Sequence, residues 1–216
     1  PPVSFGLGAV IAVKPAGQVV YIATDQGWFA SVDISRLAEP VLLDKVRIAG
    51  RCYDMTLSGN RAVVVGDSVM ALVDLTRADG LTILDSVNVG GTAKGVVASQ
   101  NTATVAVAGR GLVLYDFTAF PRPVALGVVP VNGDPDALAA SGSNLVLSIT
   151  QNNVSRLEIR DFRKPDLELL GQTYLPARLT HIETQNQRVI GVDPNAGVAL
   201  TYDSNVFRLS SVAAAT

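Results

Sequence analysis

Carboxylates are the most regularly placed reactive groups in this chain. Asp33, Asp74, Asp116, Asp161 and Asp203 each close a short apolar run, at steps of 41, 42, 45 and 42 residues. Brought together, five such side chains would make a metal-binding or acidic ring. A second set, Asp54, Asp136 and Glu183, lies earlier in its intervals and could supply the paired acids of glycoside hydrolysis. His181 is the single histidine and Cys52 the single cysteine. No second His completes a metal site with His181, His-dependent nucleophilic catalysis would rest wholly on it, and Cys52 has no partner for an internal disulfide.

Position along the chain argues against most of this chemistry. The five ladder aspartates end what reads as a third strand, two strand spacings out from the innermost. At roughly 4.8 Å per spacing they stand about 10 Å or more from a common axis. A repeated Asp at a strand end is expected to cap a turn, its carboxylate accepting backbone N–H bonds. Counted from the turn residues Asn60 and Ser143, Asp54 lies six residues back and Asp136 seven. Strict strand alternation would therefore point them to opposite sides of their sheets. Glu183, three before Asn186, falls near the other end of its strand. Sugar-stacking aromatics are scarce, with Trp28 the one tryptophan.

Other candidates reduce to structure. Gly109-Arg110-Gly111 resembles a fragment of a phosphate loop, but no helix follows to offer its N-terminus. Asp193-Pro194-Asn195-Ala196-Gly197 suggests Ca²⁺, yet turn chemistry accounts for each residue. Asn153-Val154-Ser155 is a glycosylation acceptor only in a eukaryotic secretory chain. Cys52 is expected to fill a small buried apolar position. Trp28 and Phe29 are expected in the core between neighbouring sheets. The expectation is no catalytic residue, no metal and no cofactor, with a glycan-processing hydrolase using acids near the axis as the alternative.

The elements that hold these residues follow from the spacing. Gly17, Asn60, Asn101, Ser143 and Asn186 form a second ladder with steps of 43, 41, 42 and 43. Two ladders of one period indicate a repeat, and periods of 20–50 residues belong to solenoids and propellers. Each unit reads as four short Val-rich strands bounded by Gly, Asn, Asp or Pro. In the second these are CYDMTL, AVVVGD, VMALVDL and LTILDSVNV. The pattern predicts an all-β fold, a β-propeller of five four-stranded antiparallel blades of about 42 residues. The blades fall near 3–50, 51–91, 92–133, 134–176 and 177–216, within one domain. A β-sandwich needs no such regular repeat, and a β-solenoid has shorter coils. Stacked blades also explain 48% hydrophobic residues with only 6% aromatic, because small side chains fit between close sheets.

Composition bounds the partners. A net charge of −2 offers no basic footprint for nucleic acid, and no apolar run reaches the length of a membrane span. The opening Pro1-Pro2 suggests a chain processed or excised from something longer. Val3–Phe5 reads as the tail of an outer strand, which either closes the ring on the fifth blade or belongs to a larger protein. The second-to-third-strand loops and the links between blades share one face. That face collects Arg51, Tyr53, Asp54, Lys94, Asp134, Asp136, Arg178 and His181, with Asp25, Asp67, Arg110, Asn152, Asn153 and Asp193 from the loops. The expected ligand site is Arg51, Tyr53, Asp54, Lys94, Asp136, Arg178 and His181.

The third unit, GLVLYDFTAFPRPVALGVVPVNG, resembles the LVIVD repeat of bacterial and archaeal surface propellers. The first unit matches through WFASVDIS, Pro40-Val41-Leu42-Leu43 and Ala49-Gly50, and the second through ALVDLT with Gly80 near the Pro position. The fourth keeps Asp161 and Pro165, the fifth Tyr202-Asp203. The resemblance implies an extracellular or envelope-associated recognition or scaffold module; a protein or glycan partner and flanking domains of a larger chain are the expected partners. It brings no catalytic residues.

Overall fold

The computed structural model describes residues 4–48, 50–99, 101–118, 122–185, 188–193, 198–203 and 208–214, with side chains described up to 192. Among the described residues there are strands and turns and no helix. They form five four-stranded sheets, each ordered as a simple meander. The first holds β1 (Val10–Ala16), β2 (Val19–Thr24), β3 (Trp28–Asp33) and β4 (Val41–Arg47). The second holds β5 (Cys52–Ser58), β6 (Arg61–Gly66), β7 (Val69–Asp74) and β8 (Thr82–Asn88). The third holds β9 (Ala93–Ser99), β10 (Thr102–Val107), β11 (Gly111–Asp116) and β12 (Val124–Val129). The fourth holds β13 (Asp134–Ser141), β14 (Asn144–Gln151), β15 (Val154–Asp161) and β16 (Leu169–Leu175). The fifth holds β17 (His181–Gln185), β18 (Arg188–Asp193), β19 (Val198–Asp203) and β20 (Arg208–Ala214). The chain's own C-terminal segment thus supplies the fourth strand of the fifth sheet. Val3, read as part of an outer strand, lies outside the described residues, as do Asn186 and Pro194–Gly197; Phe5 packs beside Leu7, Ile22, Ala30 and Val32.

The chain forms two compact units, Pro1–Val105 with Leu114–Gly127, and Ala106–Val113 with Val128–Thr216. In the first, Tyr21, Ala23 and Phe29 of one sheet meet Met55, Ala62, Val64 and Val73 of the next. Neither sheet could bury these side chains alone. Phe29 is fully buried and its ring stacks on Tyr21 at 5.7 Å. Cys52 joins the same cluster, as expected. Burial pushes its thiol up to about 11. Trp28 is half-buried: it packs against the buried cluster of Leu7, Ile22, Ala30 and Val32, and the cations of Lys45 and Arg47 lie 4.8 and 5.5 Å from its ring. In the second unit, Leu157 and Ile159 of the fourth sheet pack with Leu179, Ile182 and Val189 of the fifth.

Register irregularities recur at fixed places. The first strands slip at Val10/Ala12, Cys52/Asp54 and Pro135/Ala137. The pairing of third with fourth strands slips at Ser31/Val32, Leu72/Val73, Ile159/Arg160 and Thr201/Tyr202. At a bulge two successive residues oppose one partner, which bends the strand and re-aims a side chain.

Polar ties join one repeat to the next. Within the first unit, Leu81 N–H donates to Asp44 Oδ2 at 2.7 Å, and the Ser31 hydroxyl donates to the Ala78 carbonyl. Within the second, the Thr184 hydroxyl donates to the Ala140 carbonyl.

Four of the ladder aspartates are turn caps, and the side chain of Asp203 lies outside the described residues. Asp33 accepts from Ser35 N–H at 2.7 Å, Asp74 from Thr76 at 2.9 Å, Asp116 from Thr118 at 2.7 Å and Asp161 from Arg163 at 2.9 Å. Asp161 also takes the Arg163 guanidinium through both oxygens. These bonds favour the charged form. The Ser35 amide lowers the pKa of Asp33, the Thr118 side chain that of Asp116, and the Arg163 side chain lowers Asp161 to about 2. A carboxylate depressed on folding adds stability above its unfolded value near 3.9 and loses it as pH falls through the folded value. The urea midpoint is therefore expected to drop between about pH 4 and pH 2. A variant with Asn at 33, 116 and 161 is expected to lose most of that slope; an unchanged slope would contradict the assignment.

Candidate functional site

The links and second-to-third-strand loops are built by backbone-capping aspartates. Asp67 sits at φ 29, a conformation that Asp tolerates better than most residues. Its Oδ2 accepts from Arg51 N–H at 2.9 Å, and its backbone carbonyl accepts from Ala93 N–H at 2.8 Å. One loop residue thereby anchors the entries to β5 and β9. Asp25 repeats the device, accepting from Ala9 N–H at 2.8 Å. Glycine at 8 and 50 leaves room for these carboxylates, since a Cβ at either position would strike them.

These anchors present Tyr53 on the β5 bulge. Its ring is half-buried, with the Arg51 guanidinium 5.3 Å and the Lys94 ammonium 4.2 Å from the ring centre. Cations over an aromatic face are attracted by its quadrupole. Arg51, Tyr53 and Lys94, predicted separately from sequence, form one group.

The predicted acids are structural fasteners. Asp54 accepts from Met55 N–H at 2.8 Å and from Val96 N–H, one repeat on, at 2.9 Å. Asp136 is buried, accepts from the Thr150 hydroxyl at 2.6 Å, and takes two donors from Arg178, also one repeat on. Both therefore reach forward, contrary to the opposite orientations that alternation predicts. Asp136 is the bulge residue, skipped between Pro135 and Ala137, so alternation fails there, whereas Asp54 keeps its regular pairing with Val65 back to the turn. His181 is exposed at the start of β17, its Nδ1 3.3 Å from the Thr180 hydroxyl. Glu183 is exposed further along. The side chain of Asp193 lies outside the described residues. No group of three or more His, Cys, Asp or Glu residues suited to a metal occurs among the described residues.

The second unit carries two clefts at the same ends of its strands. One, of about 480 Å³, is lined by Gly109–Gly111, Pro130, Asp134 and Asn152 among others. Here Asp134 accepts from Gly109 N–H at 3.0 Å. The other, of about 520 Å³, shares Pro130, Gln151 and Asn152 and opens over β15. Its floor is a charge ladder that the sequence reading missed. Arg156, Glu158 and Arg160 alternate along β15 and so share one side. They are 7%, 3% and 9% exposed. Glu158 takes Arg156 through Oε1 at 2.9 and 3.0 Å and Arg160 through Oε2 at 2.7 and 2.9 Å. Aligned on the ladder aspartates, these positions are Trp28, Ala30 and Val32 in the first repeat and Val69, Ala71 and Val73 in the second. Three charges on one apolar stripe were the available signal.

No protein-family model and no curated protein matches the sequence. Similar solved structures exist. The β-propeller domain of Myceliophteria thermophila Cps50 (Swd1) aligns with TM-score 0.76 and 16% identity over 96% of this chain and 72% of that one. The computationally designed Ika8 protein aligns at 0.67 and 14% over 95% of this chain, and Saccharomyces cerevisiae Sqt1 at 0.67 and 9% over 94%. This chain spans 61% of the length of each of the latter two. At these identities the likeness concerns the fold, and the fold is a β-propeller.

Proposed function

We propose that this chain is a non-enzymatic propeller domain that binds a protein partner through its links and second-to-third-strand loops. The observation that carries the reading is the Arg51–Tyr53–Lys94 group. Aromatic and arginine side chains of this kind dominate the energetics of protein interfaces. The neighbouring acids support it, because Asp25, Asp54 and Asp67 are occupied with backbone N–H donors. What the group presents to a partner is therefore cationic and aromatic, which suits an acidic surface. The LVIVD-like motifs add a cell-surface or envelope setting to the proposal, with 1–216 acting as one domain. The hydrolase alternative has less support: each described cleft holds one acid, Glu158 or Asp134, and both are engaged.

A photo-crosslinker placed at Arg51 in the native host tests this. A defined protein adduct is expected. Tyr53→Ala or Lys94→Glu should weaken binding of that partner at least about tenfold, the size of a hot-spot loss, with the melting temperature unchanged. Undiminished binding in both variants would remove the proposal.

A further inference from the structure

The cleft over β15 has the makings of a second, independent site. Glu158 is saturated by its two arginines. Arg160 spends its remaining amino group on the Leu167 carbonyl at 3.1 Å. Arg156 places Nη2 against both Glu158 and the Asn132 carbonyl. Its Nη1 finds no partner among the described residues, although the side chain is only 9% exposed and lines the cleft. An amino group with two N–H donors is thus fixed in place at a cavity wall. Fixing beforehand removes much of the ordering cost of binding.

The surroundings narrow the ligand. Two arginines and one glutamate give the floor a net charge of one positive, and no other acid lines the cleft. One donor pair and one net charge suit a monoanion. Asn152 and Gln172 add amide groups at the rim, while the Gln151 amide donates to Asn132 Oδ1 at 2.7 Å. Val154, Leu169 and Tyr174 add apolar surface, with Tyr174 71% exposed. We propose that this cleft recognises a carboxylate side chain carried on a protein segment with apolar neighbours. Arg156 Nη1 binds the carboxylate by charge-assisted hydrogen bonds, and Tyr174 and Leu169 cover the flanking residues.

The probe is acetyl-Leu-Glu-Leu-amide, titrated into the isotope-labelled full chain and followed by NMR, with the Gln peptide as control. Saturable shifts at the Arg156 Nε–H and Gln172 amide signals are expected, with at least tenfold weaker binding of the Gln peptide. Arg156→Lys should abolish the shifts. Should that variant not fold, Tyr174→Ala at an exposed position decides, with an expected loss of about tenfold. Lys94→Glu should leave the titration unchanged, so this site and the Tyr53 group stand or fall separately. No saturable shift, equal response to both peptides, or full binding by the deciding variant would overturn the proposal.

Discussion

Replacing Glu158 by alanine is expected to destabilise the protein by about 3–5 kcal/mol, the cost of leaving buried charge uncompensated. Glu158 is 3% exposed and holds two arginines that are themselves nearly buried. Without it, two guanidinium groups face each other in a site with little water. Replacing the whole ladder gives the opposite expectation. Arg156→Val, Glu158→Ala and Arg160→Val together reproduce the second repeat's Val69, Ala71 and Val73. Apolar replacement of a complete buried ion group is often neutral, or stabilising by about 1–4 kcal/mol. Urea unfolding of the single and triple variants checks both. A Glu158→Ala loss below about 1 kcal/mol would mean that water screens the ladder, and would weaken the case for a preorganised Arg156.

The second large effect is expected from Gly133→Ala. Gly133 stands at φ +118, where L-residues are strained. A Cβ there would also lie 2.8 Å from the Thr150 carbonyl oxygen and 2.9 Å from Ile149 Cγ2. Strain and overpacking each cost about 1–3 kcal/mol, so a loss of about 2–6 kcal/mol is expected. Gly142→Ala is the control. It also has positive φ, at +57, but nothing lies within 4 Å of its added carbon. About 1–2 kcal/mol is expected there. Equal melting-temperature losses in the two variants would show that the link yields and that the close approach does not matter. The contrast matters for the site, because Gly133 sets the path into Asp134, which fastens the Gly109 turn.

Sheets and turns were legible in the sequence because their causes are local. An aspartate two residues before a serine or threonine closes its own turn, and valine runs between such turns have few alternatives to strands. The second repeat's predicted segments match β5 to β8 to within one residue at either end. Bulges were not legible, since they arise from the fit of one strand on its neighbour. That is why Asp136 points where alternation does not send it. The grouping of Arg51, Tyr53 and Lys94 needed another unseen bulge and a contact across a repeat. The ladder on β15 was visible in principle: Arg156, Glu158 and Arg160 stand where the other repeats have apolar residues, but Asp161 was read only as a marker. Trp28 packs on the core as expected, but its cover by Lys45 and Arg47 from the adjacent strand was not legible.

The hairpin caps carry an evolutionary implication. Asp33, Asp74, Asp116 and Asp161 each accept the amide just two positions ahead. Each of these four modules thus encodes its own stop signal and borrows none from afar. A copied or transplanted unit would arrive with its terminator intact, so arrays of this kind can be lengthened or shuffled without inventing new punctuation.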